Sequence, residues 1–292
     1  MSEPVLRLDN VTKSFDKKVV LDALSFEVPD GSVVGLLGKN GCGKTTLLKC
    51  ALGILKPQGG DVRVFGEPAW TLSGHAKSMI GYVPQTPALY PWMRVRQIID
   101  YQASFYSCWN DALVDRLLEE WQLKPSEKVG PLSVGQQQKL AILLAIGHNP
   151  RLLVLDEPAS ALDPESRRSF VRILLEMVGS ERTVIFSTHI TSDLERVAER
   201  IAILQYGKIA LYEDLDRLKE RIKRLHITSR APLPPEFAVP GALRLVRSGA
   251  EALASVSDAS QEMIENIERR WSVSVNVEDL NLEDIFLEVT RA

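Results

Sequence analysis

The sequence predicts an α/β fold built on a parallel sheet, and three stretches support this prediction. The first is a succession of strand, glycine-rich loop and helix across 32–52. The other two are apolar runs that end in polar side chains, at 152–157 and 183–189. Continuous apolar runs are typical of strands buried on both faces, as in parallel sheets covered by helices. The carboxyl ends of such strands share one edge of the sheet, where ligands of α/β proteins bind.

Composition sets the broad class of the protein. At 292 residues with 45% hydrophobic content, the chain is long enough for one large domain and a smaller accessory one. A net charge of -3 argues against a dedicated nucleic-acid binder. The most apolar stretch, 140–147, is far shorter than the roughly 20 residues that span a bilayer. The start of the chain lacks the features of a signal peptide, and the three scattered cysteines suit a reducing compartment, so we expect a cytoplasmic location.

The first predicted elements are two antiparallel strands, at 5–8 and 19–28. Their apolar and polar residues alternate, which is typical of a half-buried sheet. Phe15 lies between them, on a predicted loop. An aromatic ring there would stack on adenine, because a nucleobase face needs only a flat partner. The alternative is that Phe15 is a core residue, and periodicity alone does not decide between the two.

The glycine-rich loop has the pattern G-x-x-x-x-G-K-T between a strand at 32–37 and a helix at 45–52. Its glycines let successive backbone N–H groups turn inward around a polyphosphate, and the following helix adds its dipole. Lys44 would reach the β- and γ-phosphates, and the Thr45 hydroxyl would ligate Mg²⁺. A glycine-rich turn without a ligand is the alternative. The residues predicted to bind nucleotide here are Gly38, Lys39, Asn40, Gly41, Cys42, Gly43, Lys44, Thr45 and Thr46.

Three predicted elements follow in order: a strand at 61–66, a second strand at 80–85 and a helical segment. This second strand delivers Gln85 to the ligand edge of the sheet, where its amide would bind Mg²⁺ and an attacking water; alternatively, Gln85 is an ordinary polar loop residue. The segment 86–147 has helical periodicity and is predicted to form a helical subdomain. Its aromatic cluster at 90–93 would be either a docking patch for another protein or part of the segment's own core.

The helical segment ends in a serine and glycine motif, with Ser133, Val134, Gly135 and Gln136 before an apolar helix. A hydroxyl and free N–H groups at the start of a helix suit a phosphate. The alternative is an ordinary N-cap. It explains Ser133, but it does not explain the glycine and the glutamines after it.

Two carboxylates and a histidine follow buried strands. Asp156 and Glu157 end a run of four apolar residues, which places both acids at the tip of a buried strand. Asp156 would hold Mg²⁺, and Glu157 would polarise the attacking water. The strand at 183–188, interpreted as the last core strand, delivers His189 to the same edge. We therefore expect Gln85, Asp156 and His189 to converge on one γ-phosphate, while the other three histidines are interpreted as structural.

These residues resemble the motifs of the nucleotide-binding subunits of ABC transporters, in the same order, from about residue 5 to residue 214. By this resemblance, Phe15 takes the place of the family's adenine-stacking aromatic. The matching motifs are the Walker A loop (38–45), the Q-loop (Gln85), the signature (132–136), the Walker B strand with its catalytic glutamate (152–157), the D-loop (161–163) and the switch histidine (His189).

The resemblance implies a mechanism that needs two chains, identical or paralogous, packed head to tail. ATP held by the Walker A loop of one chain would be capped by Ser133, Gly135 and Gln136 of the other, with Asp163 also at the nucleotide site. ATP closes such a dimer, and hydrolysis opens it and drives membrane-spanning partner subunits. The resemblance thus implies an Mg²⁺-dependent ATPase on the cytoplasmic face of the inner membrane, with no nucleic-acid partner.

Within that resemblance the roles divide between catalysis and metal binding. Glu157, His189 and Gln85 would be catalytic. Mg²⁺ would be held by Thr45, Gln85 and Asp156. A single chain shows no obvious arginine beside its own nucleotide, which agrees with a site completed by a second chain.

Two residues depart from the family pattern. Val134 stands in the signature where the family most often has glycine, so the phosphate cap would be tighter or less flexible. Cys42 occupies a variable position of the Walker A loop. It lies next to positive charge and a helix start, which would lower the pKa of its thiol and make it reactive, although it is first of all a small filler residue.

The chain is divided into an ABC ATPase domain at 1–216 and a small α/β accessory domain at 217–292, regulatory or dimer-supporting. The last segment, 282–290, is similar to the end of ATPase subunits in the branch of the family that exports drugs, lipids and peptides. The predicted elements of this domain are a basic helix (218–224), a proline-rich linker (232–240), strands (243–246 and 252–256), a helix (260–271) and a strand (272–277).

The leading hypothesis is therefore an ATPase subunit of an exporter. The alternative is an ABC ATPase that acts on ribosomes or DNA. The ribosome-acting branch usually joins two ATPase halves in one chain, and the DNA-repair branch inserts long coiled coils, neither of which this sequence shows. A third possibility, a nucleotide sensor without turnover, is disfavoured by intact Glu157, Gln85 and His189.

Overall fold

The computed structural model describes residues 3–178 and 182–291. Residues 1 and 2, part of the start of the chain that lacks the features of a signal peptide, lie outside the described residues. Two compact units divide the chain, Met1–Tyr212 and Glu213–Ala292. The strands are β1 (Leu6–Phe15), β2 (Lys18–Val28), β3 (Val33–Leu37), β4 (Gly59–Val64), β5 (Glu67–Pro68), β6 (Ile80–Val83), β7 (Leu152–Asp156), β8 (Thr183–Ser187), β9 (Arg200–Gln205), β10 (Lys208–Asp214), β11 (Ile222–Ser229), β12 (Ala242–Ser248), β13 (Glu251–Ser257) and β14 (Val273–Asp279).

The helices lie between these strands. They are α1 (Lys44–Ala51), α2 (Gly74–Ser78), α3 (Val95–Ala103), α4 (Asp111–Glu120), α5 (Val134–Ile146), α6 (Pro164–Val178), α7 (Thr191–Val197), α8 (Leu215–Arg221), α9 (Gln261–Trp271) and α10 (Leu282–Arg291), with one 3₁₀ turn (Ala69–Thr71).

The first unit holds two sheets. The smaller has the order β2-β1-β4-β5 and is antiparallel, with Leu6 paired to both Val28 and Val64. The larger has the order β10-β9-β3-β8-β7-β6, and its strands from β9 to β6 are parallel. The strand β3, which leads into the glycine-rich loop, lies in the middle of this sheet. Helices α3, α4 and α5 fall within the segment predicted to be helical, and the predicted fold class is confirmed.

One expectation about the core sheet is wrong, because β8 is not its last strand. β9 follows it in the chain and pairs with β3 on the side opposite to β8. Ile201, Ala202, Ile203 and Leu204 are all buried, which is the pattern of a strand covered on both faces. A two-residue turn then leads to β10, and both of its residues, Tyr206 and Gly207, have positive φ, as tight hairpin turns require.

The second unit forms one antiparallel sheet with the order β12-β13-β11-β14. The helix predicted at 218–224 is wrong at its end, because α8 stops at Arg221 and the central strand β11 begins at Ile222. β11 pairs on both sides, with Leu225 opposite Ala254 and Val277, so its tertiary pairing outweighs the helical preference of its basic residues. The remaining predicted strands and helix of this unit are present.

Each unit has a hydrophobic core of its own. In the first unit, apolar residues of the antiparallel sheet pack with Leu47 and Leu48 of α1 and with Val34 and Leu36 of β3. In the second unit, α9 contributes Ile267 to a core formed by the inner face of its sheet. The strand and the helix that flank the glycine-rich loop are therefore both packed into the core of the first unit. Among the described residues, we find no helix with the length and apolar character that crossing a membrane requires.

Candidate nucleotide-binding and hydrolysis site

The glycine-rich loop connects the end of β3 at Leu37 to the start of α1 at Lys44. Gly41 and Gly43 have φ of 76° and 112°, in the left-handed region that side chains disfavour. A Cβ atom at Gly38 would lie 2.7 Å from the carbonyl oxygen of Leu204, too close for any side chain. No side chain of the described residues caps α1, so its first N–H groups remain available to an anion.

Lys44 is buried in the loop and is paired. Its Nζ donates to the carbonyl oxygen of Gly38 at 2.8 Å and lies 3.3 Å from Oε1 of Glu157. The side chains of Lys44 and Glu157 are only 7% and 6% exposed. Oε2 of Glu157 contacts Nδ1 of His189 at 2.7 Å. A buried charge is costly unless it is paired, so these contacts fix the three side chains relative to one another.

Glu157 is also held by its backbone. Its φ is 51°, an uncommon value for a residue with a side chain. Its N–H donates to both the carbonyl oxygen and Oγ of Ser187, at 3.1 and 3.0 Å. Sequence reasoning missed Ser187, although a serine at the end of an apolar strand, two residues before His189, is a usable signal. Ser187 on β8 thus aligns the carboxylates at the end of β7.

Asp156 has the environment of a cation ligand. It is fully buried, and its Oδ1 accepts a hydrogen bond from Oγ of Ser187 at 2.8 Å. Its Oδ2 has no hydrogen-bond partner among the described residues. A buried anionic oxygen without a donor is unfavourable, so this atom fits a bound cation. Thr45 and Gln85 line the adjoining pocket, and the three oxygen types suit Mg²⁺.

Most of the predicted site residues line an open pocket of about 800 Å³. Asp156 is buried at the end of β7 and does not line the pocket itself. Gly38 contributes its carbonyl to Lys44, and Lys39 is exposed but does not line the pocket. The residues that line the pocket are Phe15, Asp16, Lys18, Val20, Asn40, Gly41, Gly43, Lys44, Thr45, Thr46, Gln85, Glu157, Ser160 and His189.

Phe15 is the last residue of β1 rather than a loop residue, and it pairs with Lys18 across a tight hairpin. Its side chain lines the pocket and is 46% exposed, which excludes the core interpretation. Nζ of Lys13 lies 5.3 Å from the centroid of its ring. An open aromatic face at the pocket rim suits a stacked base.

The signature residues begin α5 and do not line the pocket. Oγ of Ser133 accepts from the N–H of Gln136 at 3.2 Å, and Oε1 of Gln136 accepts from the N–H of Ser133 at 3.0 Å. This is a complete capping box, so the N-cap interpretation holds for Ser133 and also explains Gln136. A Cβ atom at Gly135 would lie 2.8 Å from the carbonyl oxygen of Ala161, so Gly135 is required by close contact with the D-loop.

Asp163 ends the D-loop and anchors it to the next helix. Its carboxylate accepts hydrogen bonds from the N–H and Oγ of Ser166 at 2.9 and 2.5 Å. Nζ of Lys139, on α5, lies 3.6 Å away. The hydrogen bonds from Ser166, with a smaller contribution from Lys139, lower the pKa of Asp163 to about 2. The D-loop is thus joined to the signature helix by both Gly135 and Lys139.

Comparison with known proteins agrees with this geometry. Residues 21–160 match the family model described as ABC transporter. The Nod factor export ATP-binding protein I of Burkholderia thailandensis is 34% identical, over 99% of this chain and 98% of its own length. The chain belongs to the ABC transporter family. It is an ATP-binding subunit of that family, with the ATPase activity that powers a transporter.

Two further comparisons support this assignment. An uncharacterised ABC transporter ATP-binding protein of Bacillus subtilis, YhaQ, is 31% identical over 99% of both chains. A solved ATP-binding cassette, a dimer in a post-hydrolysis state with bound ADP and Pi, has a TM-score of 0.64 and 25% identity. That match covers 72% of this chain and 98% of the cassette. These relatives do not favour an ATPase that acts on ribosomes or DNA.

In this ABC ATPase, the expected lowering of the pKa of Cys42 is wrong. The sequence predicted a filler residue whose thiol would have a lowered pKa beside positive charge and a helix start. Burial raises the pKa of Cys42, and the nearby charge of Lys44 offsets this only in part. Its Sγ would lie 2.5 Å from a Cβ atom at Gly38, so Cys42 fills space in the loop. The filler interpretation is the one that the structure supports.

Proposed function

We propose that this chain is the ATPase subunit of an exporter and works as a head-to-tail dimer with a second ATPase chain. The observation that carries the proposal is the division of the site within one chain. Lys44, Glu157 and His189 are already assembled around the pocket. Ser133 and Gly135, which would contact the γ-phosphate, are at a helix start that does not line that pocket. The relative from Burkholderia thailandensis, named for export, supports the direction of transport.

Hydrolysis would use contacts that the site already contains. Lys44 would exchange its present partners for the phosphates of ATP, which frees Oε1 of Glu157 to accept a proton from the attacking water. His189 would hold the other carboxylate oxygen in place. Mg²⁺ bound by Asp156, Thr45 and Gln85 would neutralise charge on the phosphates. The start of α5 from the second chain would add a helix dipole at the γ-phosphate.

We also propose that the subunit binds membrane-spanning partners at the cytoplasmic face of the membrane. The helical segment carries an aromatic patch, defined here as Tyr90, Trp92, Tyr101 and Phe105. Neighbouring rings in this patch lie 5.0–5.8 Å apart, and Trp92 and Phe105 are 67% and 63% exposed. Contiguous exposed aromatics of this kind are typical of protein interfaces. The exposure favours docking over the alternative that the cluster is the segment's own core.

The decisive experiment is ATP-dependent dimerisation of the Glu157→Gln variant. The neutral amide keeps the shape of the site but removes the base, so we expect turnover to fall by roughly 10²–10⁴-fold while ATP traps a closed dimer. Chromatography with light scattering, with and without Mg-ATP, measures the dimer. Glu165→Gln, an exposed change at the start of α6, is the matched control and should keep wild-type turnover.

Lys44→Ala should prevent the same trapping. Losing a desolvated charge that contacts phosphate costs about 2–5 kcal/mol, so ATP should bind on the order of 10²-fold more weakly. Normal turnover in both variants would remove the site assignment. A Glu157→Gln protein that stays monomeric when saturated with ATP would remove the dimer mechanism. Co-purification of the tagged chain from membranes with a multi-span permease tests the partner.

A further inference from the structure

A largely buried ion pair joins helices α6 and α7, which follow Glu157 and His189 in the chain. Arg167 lies in the first turn of α6, and Asp193 lies in α7. Nε of Arg167 is 3.8 Å from Oδ2 of Asp193, and the two side chains are 31% and 11% exposed. Neither of these two atoms has a hydrogen-bond partner among the described residues. At these two atoms, each side chain therefore has the opposite charge of the other as its nearest compensation.

The arginine end of the pair is attached to the D-loop. The N–H of Arg167 donates to the carbonyl oxygen of Asp163 at 2.9 Å, and Nη2 donates a long hydrogen bond to the carbonyl oxygen of Ala159 at 3.5 Å. Residues 158–160 connect Glu157 to the D-loop, and within this connection Oγ of Ser160 donates to the Glu157 carbonyl at 2.9 Å. Arg167 thus contacts both ends of the segment that leads away from the catalytic glutamate.

The aspartate end of the pair is attached to the residues on either side of the switch histidine. Asp193 lies four residues after His189, in the first turn of α7. Its N–H donates to the carbonyl oxygen of Ile190, and the N–H of Ile190 donates to Oγ1 of Thr188. Burial raises the pKa of Asp193, while the charges of Arg167 and Arg196 lower it. Burial is the larger of these effects, so the pKa of Asp193 lies above its ordinary value.

The chain segments attached to Arg167 and to Asp193 also meet in the nucleotide pocket. There, Oε2 of Glu157 lies 2.7 Å from Nδ1 of His189. We propose that Arg167 and Asp193 are positioning residues for hydrolysis, because their pair holds the D-loop against the start of α7 and so keeps His189 on Glu157. This inference rests on the proposed role of Glu157 in activating water. Neither Arg167 nor Asp193 lines the nucleotide pocket, so the pair acts on the catalytic step and not on ATP binding.

The test is a double-mutant cycle on the full-length chain with Arg167→Gln and Asp193→Asn, which remove the charges with little change in shape. A displacement of about 1 Å at a reacting group can cost on the order of 10²-fold. We expect each variant to lower kcat by about 10- to 100-fold, with KM for ATP within about twofold of wild type. The double variant should lose no more than the worse single variant, because both disrupt one pair.

Two further variants separate positioning from general damage. Arg168→Gln, on the exposed side of the same helical turn, should leave kcat unchanged. Placed in the Glu157→Gln background, Asp193→Asn should still allow ATP-driven dimerisation. If Asp193→Asn does not fold, Arg167→Gln decides by the same split between kcat and KM, because its side chain is less buried.

Several outcomes would overturn the inference. One is a kcat within twofold of wild type in both single variants. Another is a KM that rises as much as kcat falls, and a third is additive losses in the double variant. Failure of the proposed function has a different signature, since Glu157→Gln would then hydrolyse ATP at the wild-type rate. That result would overturn both proposals, whereas normal Arg167→Gln and Asp193→Asn beside an inactive Glu157→Gln would overturn only this one.

Discussion

The two sides of the ATP site differ in how complete they are within one chain. On the pocket side, Lys44, Glu157 and His189 contact one another and face a single cavity with Phe15 at its rim. On the signature side, residues 133–136 satisfy their hydrogen bonds within their own helix cap and do not line that cavity. The difference supports the proposal that one chain binds nucleotide and that hydrolysis needs the signature side of a second chain.

Electrostatics leads to the same division. Phosphoryl transfer spreads negative charge over the γ-phosphate oxygens, and catalysis depends on positive partners aimed at them. Among the described residues that line the pocket, Lys18 and Lys44 are cationic and none is an arginine. The start of α5 offers a helix dipole and the hydroxyl of Ser133, but on another surface of the same chain. A dimer would bring the missing charge to the phosphate.

The largest expected effect comes from breaking the signature side alone. In Gly135→Val, the added Cβ would lie 2.8 Å from the carbonyl oxygen of Ala161, so the start of α5 or the D-loop must move. We expect turnover to fall on the order of 10²-fold or more, the cost of losing one transition-state donor. The dissociation constant for ATP, measured by titration of the monomer, should stay within about twofold of wild type, because Gly135 does not line the nucleotide pocket.

Val134→Ala provides the matched control for this change. Val134 is adjacent in sequence and 68% exposed, so shortening it removes no packing within the chain. It should therefore keep most of the turnover. Weaker ATP binding in the Gly135→Val monomer would mean that the two sides are not separate within one chain, which contradicts the comparison.

A smaller effect should follow from weakening the pocket side at its rim. Stacking of a base on an aromatic ring is worth about 1–3 kcal/mol, so Phe15→Ala should raise the dissociation constant for ATP by roughly 5- to 150-fold. At saturating ATP, kcat should be nearly unchanged, because Phe15 lies away from the Glu157 and His189 contact. Titration with ATP and steady-state kinetics measure the two quantities.

Phe15→Tyr serves as the control, since it keeps the flat ring. If Phe15→Ala binds ATP as tightly as wild type, the exposed ring has another purpose and the adenine assignment is wrong. If Phe15→Tyr binds as weakly as Phe15→Ala, stacking is not the reason for the effect.

The two sides were also unequally predictable from the sequence. The pocket residues follow the ends of apolar strands, and parallel strands must place those ends at one edge, so pattern and topology together locate Gln85, Glu157 and His189. The role of Ser187 could not be predicted, because it depends on the register of β7 and β8, which composition does not specify. The left-handed backbone of Glu157 could not be predicted for the same reason, since it goes with hydrogen bonds to Ser187 on the neighbouring strand.

The second unit shows a different limit of prediction. Residues 222–224 continue the basic character of α8, so local preference extends the helix through them. The structure instead places them in β11, where backbone pairing with both β13 and β14 decides the conformation. Partners 30 or more residues away in the chain are what a local pattern cannot reveal.

The smallest expected effect tests how the D-loop is fixed to the signature side. Hydrogen bonds from Ser166 lower the pKa of Asp163 from its ordinary 3.8 to about 2, so the folded chain favours the ionised form. This stabilisation is fully present above about pH 4 and is lost as the pH falls through about 2. Asp163→Asn, which mimics the protonated carboxyl, should therefore melt slightly below wild type at pH 7, with a gap that narrows as the pH falls from about 4 towards 2. The effect is small because the carboxylate is largely exposed. A gap that stays constant over this range would show that the ionised carboxylate does not stabilise the D-loop, and that Gly135 alone holds it against α5.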